Sequence, residues 1–111
     1  MIPLNAIYYI LVVHWFADFV MQSHWMASNK SSSNRALLAH IVTYTFFLSL
    51  IIHPVWGLVN GVLHGITDYF TSRWTSSLWK SGNTHNFFVV IGLDQMIHAI
   101  TLFATYYWIV L

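Results

Sequence analysis

The chain has 111 residues, of which 58% are hydrophobic, 18% aromatic and only 6% charged. This is the composition of an integral membrane protein, and with about 20 apolar residues needed per span it holds four crossings and little else. A net charge of +1 without clustered Lys or Arg excludes nucleic acid as a partner, and the lack of cysteine excludes disulfides and thiolate metal sites.

Four transmembrane helices are predicted, at about residues 4–26, 36–52, 55–73 and 87–110. The first carries His14 and Asp18 in its body and no basic segment before it, so it reads as a retained span and not a signal peptide. The polar run from Ser28 to Arg35 closes it and supplies cap residues for the second helix, which bears His40 near its start. His53 and Pro54 predict a tight turn into the third helix, since proline suits a first helical turn and disfavours helical geometry just before it. That helix holds His64 and Asp68, and Gly57, Gly61 and Gly65 form a small-residue ridge suited to close packing within the chain or to a homodimer seam. A second polar loop, Thr75 to Asn86, leads to a last helix with Asp94, Gln95 and His98. Trp25, Trp74, Trp79 and Trp108 fall near predicted span ends, where indole rings favour the interface.

All four basic residues, Lys30, Arg35, Arg73 and Lys80, lie in or beside the first and third loops. The positive-inside rule then puts both loops in the cytoplasm and both termini on the opposite side. His14, Asp18 and Phe19 are matched fifty residues later by His64, Asp68 and Tyr69, each helix being followed by one with His40 or His98. The predicted fold is therefore all-α: an integral membrane four-helix bundle of two hairpins in a parallel repeat, forming a single domain.

Every carboxylate of the chain stands four residues from a histidine, as His14/Asp18, His64/Asp68 and Asp94/His98. Residues four apart share a helix face, and an ionisable group in a membrane helix costs about 2.5–3.5 kcal/mol or more, which marks these residues as a site. Because alternate helices reverse direction, His14, Asp18, His40, His64, Asp68, Asp94 and His98 all fall in the cytoplasmic half, where they can converge as ligands do in di-iron bundles. Imidazole and carboxylate without thiolate suit one or two divalent ions, Zn, Fe or Mn. Gln22 and Gln95 are expected to orient the ligands from behind, and Lys30, Arg35 and Arg73 to bind an anionic substrate or lipid headgroup at the mouth. His24, His53 and His85 read as interfacial polar residues. The competing structural reading makes each His/Asp pair a hydrogen-bonded packing device.

The segments around His14 to Lys30, Ala36 to Thr45, Val62 to Phe70 and Leu93 to Ile100 resemble a family of small bacterial and phage membrane proteins catalogued only as a domain of unknown function. The resemblance implies a shared polar site at His14, Asp18, Gln22, Lys30, His40, His64, Asp68, Asp94, Gln95 and His98, in a bacterial inner membrane. Where many relatives carry a lysine after the second His/Asp pair, this chain has Thr71 and Arg73. A fainter similarity is to membrane-bound metal-dependent hydrolases. The leading expectation is thus a metal-dependent membrane hydrolase with an activated water as nucleophile, acting on a phosphoester or lipid-linked substrate. The alternatives are a proton or metal-ion transporter, and a phage-type membrane interaction protein whose His/Asp cluster is structural.

Overall fold

A computed structural model describes residues 1–111 as an all-helical chain. In chain order these are α1 (Leu4–Trp15), which runs on as a π-helical turn over Phe16–Val20; α2 (His24–Asn29); α3 (Asn34–Ile51); α4 (Pro54–Lys80); and α5 (Thr84–Thr105), which ends in a π-helical turn over Tyr106–Val110.

Four of the five helix starts are capped by a side chain. Ser23, Ser33 and Asn83 cap α2, α3 and α5 by accepting from the backbone N–H of Met26, Ala36 and Asn86. Pro54 opens α4, whose first free N–H groups, at Val55 and Trp56, donate to His53 Nδ1. His53 is therefore a helix cap, and the tight turn predicted at His53–Pro54 is the connection between α3 and α4.

Two predicted boundaries are corrected. The first helix ends at Val20, not near residue 26, because the π-helical turn gives way at Met21 to an extended Ser23 that caps the separate helix α2. The chain therefore has five helices where four were expected. The loop expected from Thr75 to Asn86 is helical as far as Lys80 and reduces to a turn at Ser81–Asn83, where Gly82 adopts φ 79°. Thr75 is accommodated within that stretch, its hydroxyl bonding back to the Ser72 carbonyl and so satisfying its polar group inside the helix.

Burial follows the helical period. Ala36, His40, Tyr44 and Leu48 form one inward row on α3, and Val90, Asp94, His98 and Leu102 form one on α5. Leu38, Val42, Phe46 and Leu50 face outward from α3, and Phe88, Met96 and Ile100 do so from α5. Near the His53–Pro54 turn an apolar core gathers Ile10, Val13, Leu48, Trp56 and Leu102. The other half of the interior is polar.

The glycine ridge sets the register of α3 against α4. A Cβ on Gly57, Gly61 or Gly65 would strike Ser49, Thr45 or Ile41 of α3. Of the two uses read from the sequence, packing within the chain is the one this geometry displays. By bringing the two backbones close, it also sets His64 opposite His40.

By length and composition, α3 and the continuous helix Thr84–Val110 are long and apolar enough to cross a membrane, while Leu4–Val20 is a shorter apolar helix.

Candidate metal centre

The inward rows of four helical segments meet in one polar cluster. Asp18 comes from the π-helical turn after α1, an irregularity often found at functional sites. His40 comes from α3, His64 and Asp68 from successive turns of α4, and Asp94 and His98 from α5. These six residues are 0–9% exposed.

Their ligand atoms form two groups. In the first, His40 Nε2 and His64 Nε2 lie 3.0 Å apart. Asp18 Oδ1 is 3.0 Å from His40 Nε2 and 3.3 Å from His64 Nε2, and Asp68 Oδ2 is 3.3 Å from the former and 3.0 Å from the latter. An ion with bonds of about 2.0 Å to four tetrahedral ligands spaces those ligands by about 3.3 Å. Five of the six separations in this group thus have the size a chelated ion requires. Protons serve the geometry less well, since each neutral imidazole has one N–H and each Nε2 faces three partners.

In the second group, His98 Nε2 stands 3.1 Å from Asp68 Oδ1 and 3.2 Å from Asp94 Oδ1. All ligand atoms within each group lie within 4.8 Å of one another, close enough to hold a metal ion.

Neighbouring side chains fix these positions. The His64 ring stacks between Tyr44 at 4.0 Å and His98 at 4.1 Å. The Thr71 hydroxyl donates to Asp94 Oδ1 at 2.6 Å, and Gln95 Nε2 donates to Asp94 Oδ2 at 3.2 Å. The Nδ1 atoms of His40 and His64 are buried without a hydrogen-bonding partner, so these two rings are held by stacking and packing instead of the usual outer carboxylate or carbonyl.

His14 belongs to neither group. Its Nε2 donates to Gln95 Oε1 at 3.1 Å and its Nδ1 accepts from the Tyr44 hydroxyl at 2.8 Å, which leaves Asp18 Oδ2 at 3.7 Å. The structure therefore places His14 behind the ligands, in a chain from Tyr44 through Gln95 to Asp94. Gln95 stands where an orienting group was expected. Gln22 does not: it lies beyond the π-helical turn, and its Oε1 is buried without a hydrogen-bonding partner.

The three basic residues separate as well. Lys30 Nζ is 3.7 Å from Asp68 Oδ2. Arg73 lies over the Tyr69 ring and donates to Asn34 Oδ1 at 2.7 Å, while Arg35 is exposed on the first turn of α3. A cavity of about 60 Å³ lined by Lys30, Asp68, Thr71, Ser72, Thr75 and Asp94 reaches the second group. It shares Lys30, Ser72 and Thr75 with an open groove of about 640 Å³ bordered by Ser28, Ser31, Trp79, Phe87 and Phe88. Sequence reasoning missed Tyr44, Ser72 and Thr75, and named Thr71 only as standing where relatives carry a lysine. Thr71 and Thr75 do fall at i+3 and i+7 from Asp68, a helical spacing that could have found them. His24 and His85 are exposed, away from the cluster.

The profile of a family described as "Protein of unknown function (DUF3307)" matches residues 6–111. Neither a curated protein nor a solved structure matches the chain.

Proposed function

The chain belongs to the DUF3307 family, and we propose that it is a metal-dependent hydrolase embedded in the membrane, acting on a phosphate ester of a lipid or lipid-linked alcohol. The observation that carries this reading is the convergence of Asp18, His40, His64 and Asp68 at tetrahedral spacing beside a cavity with one lysine.

The membrane part is supported by an inverted surface. Leu38, Val42, Phe46 and Leu50 on α3, Val55, Leu58, Val62 and Ile66 on α4 and Phe88, Met96 and Ile100 on α5 are exposed, while histidine and aspartate fill the interior. A contiguous apolar exterior of this extent suits lipid and not water. With four basic residues beside the loops that carry Lys30 and Lys80, the site opens toward the cytoplasm and both termini lie outside, in a bacterial inner membrane.

A divalent ion in this centre would polarise a phosphoryl oxygen and raise the acidity of water. Lys30, on the cavity wall, holds the phosphate charge, and the groove bordered by Trp79, Phe87 and Phe88 accepts the apolar part of the ester. Water bonds through oxygen to phosphorus, the phosphorus–oxygen bond to the alcohol breaks, and the two protons of water end on the alcohol and the phosphate. Asp94 lines the cavity, and its carboxylate takes the first of these protons. An ion pathway is less well served by this interior, since Ile10, Leu48, Trp56 and Leu102 pack the half beyond the cluster.

The test is metal analysis and phosphatase assay of the chain purified in mild detergent. We expect at least one equivalent of Zn, Fe or Mn, with hydrolysis lost on chelation and restored on adding the metal back. A metal-free preparation with full native behaviour would reject the proposal.

A further inference from the structure

Asp68 points its two carboxylate oxygens at different partners. Oδ2 faces His40 and His64, and Oδ1 faces His98. A carboxylate shared in this way between two ligand groups would bridge two ions if both groups were filled, and two-metal hydrolytic sites hold their ions about 3.5–4 Å apart.

The two groups differ in completeness and access. Asp18, His40, His64 and Asp68 supply four ligands, the number a tetrahedral ion takes, and of these only Asp68 touches the cavity. Asp68, Asp94 and His98 supply three, and two of them line the cavity. Asp94 is also the most exposed ligand, at 9%. Structural metal sites are closed by protein ligands, whereas catalytic sites keep one position open. The cavity next to this open side has room for more than one water, and the Ser72 hydroxyl there is buried without a partner.

We propose that the cluster holds two divalent ions of unequal role: a closed, structural position at Asp18, His40, His64 and Asp68, and an open, substrate-facing position at Asp68, Asp94 and His98, with Asp68 as the bridge. This assignment rests on the metal-hydrolase reading and refines its substrate. The chain has three carboxylates in all. One divalent ion would leave the cluster one negative charge, which repels an anion. Two leave it one positive charge, and Lys30 adds a second, so the pocket matches the two negative charges of a phosphate monoester.

Manganese is the probe, because two Mn(II) ions sharing a carboxylate are magnetically coupled and a solitary ion gives a separate six-line signal. The full chain in detergent is loaded with Mn(II), its metal counted by mass spectrometry and its electron paramagnetic resonance spectrum recorded. Wild type is expected to hold two ions per chain with a coupled spectrum. Asp94→Asn should hold one, with the six-line signal and an unchanged helical circular dichroism spectrum. Asp68→Asn should abolish coupling. One ion per wild-type chain, or two uncoupled ions, overturns the two-position assignment; so does an Asp94→Asn variant that still holds a coupled pair. One ion accompanied by chelator-sensitive hydrolysis overturns this inference and leaves the hydrolase reading standing, whereas a chain that binds no divalent ion removes both. The wild-type spectrum needs no substitution, so a misfolded variant does not spare the proposal.

Discussion

His40 and His64 meet through their Nε2 atoms at 3.0 Å across the hairpin of α3 and α4, with Asp18 Oδ1 within 3.3 Å of both. Two such nitrogens stay together through an N–H···N hydrogen bond or through a cation between them. Removing one leaves carboxylates without compensation in a dry interior, a cost of about 3–5 kcal/mol. We expect His40→Ala to lower thermal stability in detergent by about that amount and to remove bound metal. His53→Ala should cost only the α4 cap, about 0.5–2 kcal/mol, with metal content unchanged. Equal metal loss in both variants would reject the ligand assignment.

Tyr44 has two roles that one substitution separates. Its ring stacks on His64 and its hydroxyl donates to His14 Nδ1. Tyr44→Phe keeps the stack and strands a buried acceptor, a cost of about 1–3 kcal/mol. Metal content should stay at the wild-type level, since neither residue belongs to a ligand group. In a double-mutant cycle with His14→Ala, the coupling should be about 0.5–3 kcal/mol. Additive effects would show that the hydroxyl and His14 do not depend on each other.

The close approach of α3 and α4 rests on the absence of side chains. Gly61→Ala would drive a methyl into Thr45 and is expected to cost about 1–3 kcal/mol. Gly92→Ala, with nothing within 4 Å of the added Cβ, should be neutral or stabilising by up to about 1 kcal/mol, because alanine favours a helix. Thermal denaturation of the two variants in one detergent makes the comparison, and equal loss in both would mean that the ridge does not set the interhelix distance.

The distribution of Lys30, Arg35, Arg73 and Lys80 predicts the orientation. A reporter fused after Leu111 should be accessible from outside the cytoplasm, and one inserted at Ser32 should be cytoplasmic. The reverse pattern would place the Lys30 groove on the outer face and change which substrates can reach it.

Much of the polar site was legible in the chain because helical spacing makes it so. Asp18, Asp68 and Asp94 each lie four residues from a histidine, and His40 falls at the matching depth of an antiparallel neighbour, so a period of 3.6 residues puts all of them on inward faces. The boundaries were harder to read. The residues from Thr75 to Ser77 look like loop in composition, yet they continue α4, and Thr75 lines the cavity beside Asp68 and Asp94. Gln22 looked like the next turn of a polar stripe, but the π-helical turn ends the helix before it.

Composition and spacing were enough to establish an all-helical chain and the helix faces that carry the paired histidines and aspartates, because both depend on local periodicity. Which of these side chains share an atom-to-atom site depends on the rotation of each helix about its axis, and that is set by long-range packing. The fit of Gly57, Gly61 and Gly65 under Ser49, Thr45 and Ile41 brings His64 onto His40, and the Tyr44 and Gln95 contacts draw His14 behind the ligands. The division of Asp68 between two ligand groups has the same origin: its two oxygens face different helices, a relation that exists only once α1, α3, α4 and α5 are packed together.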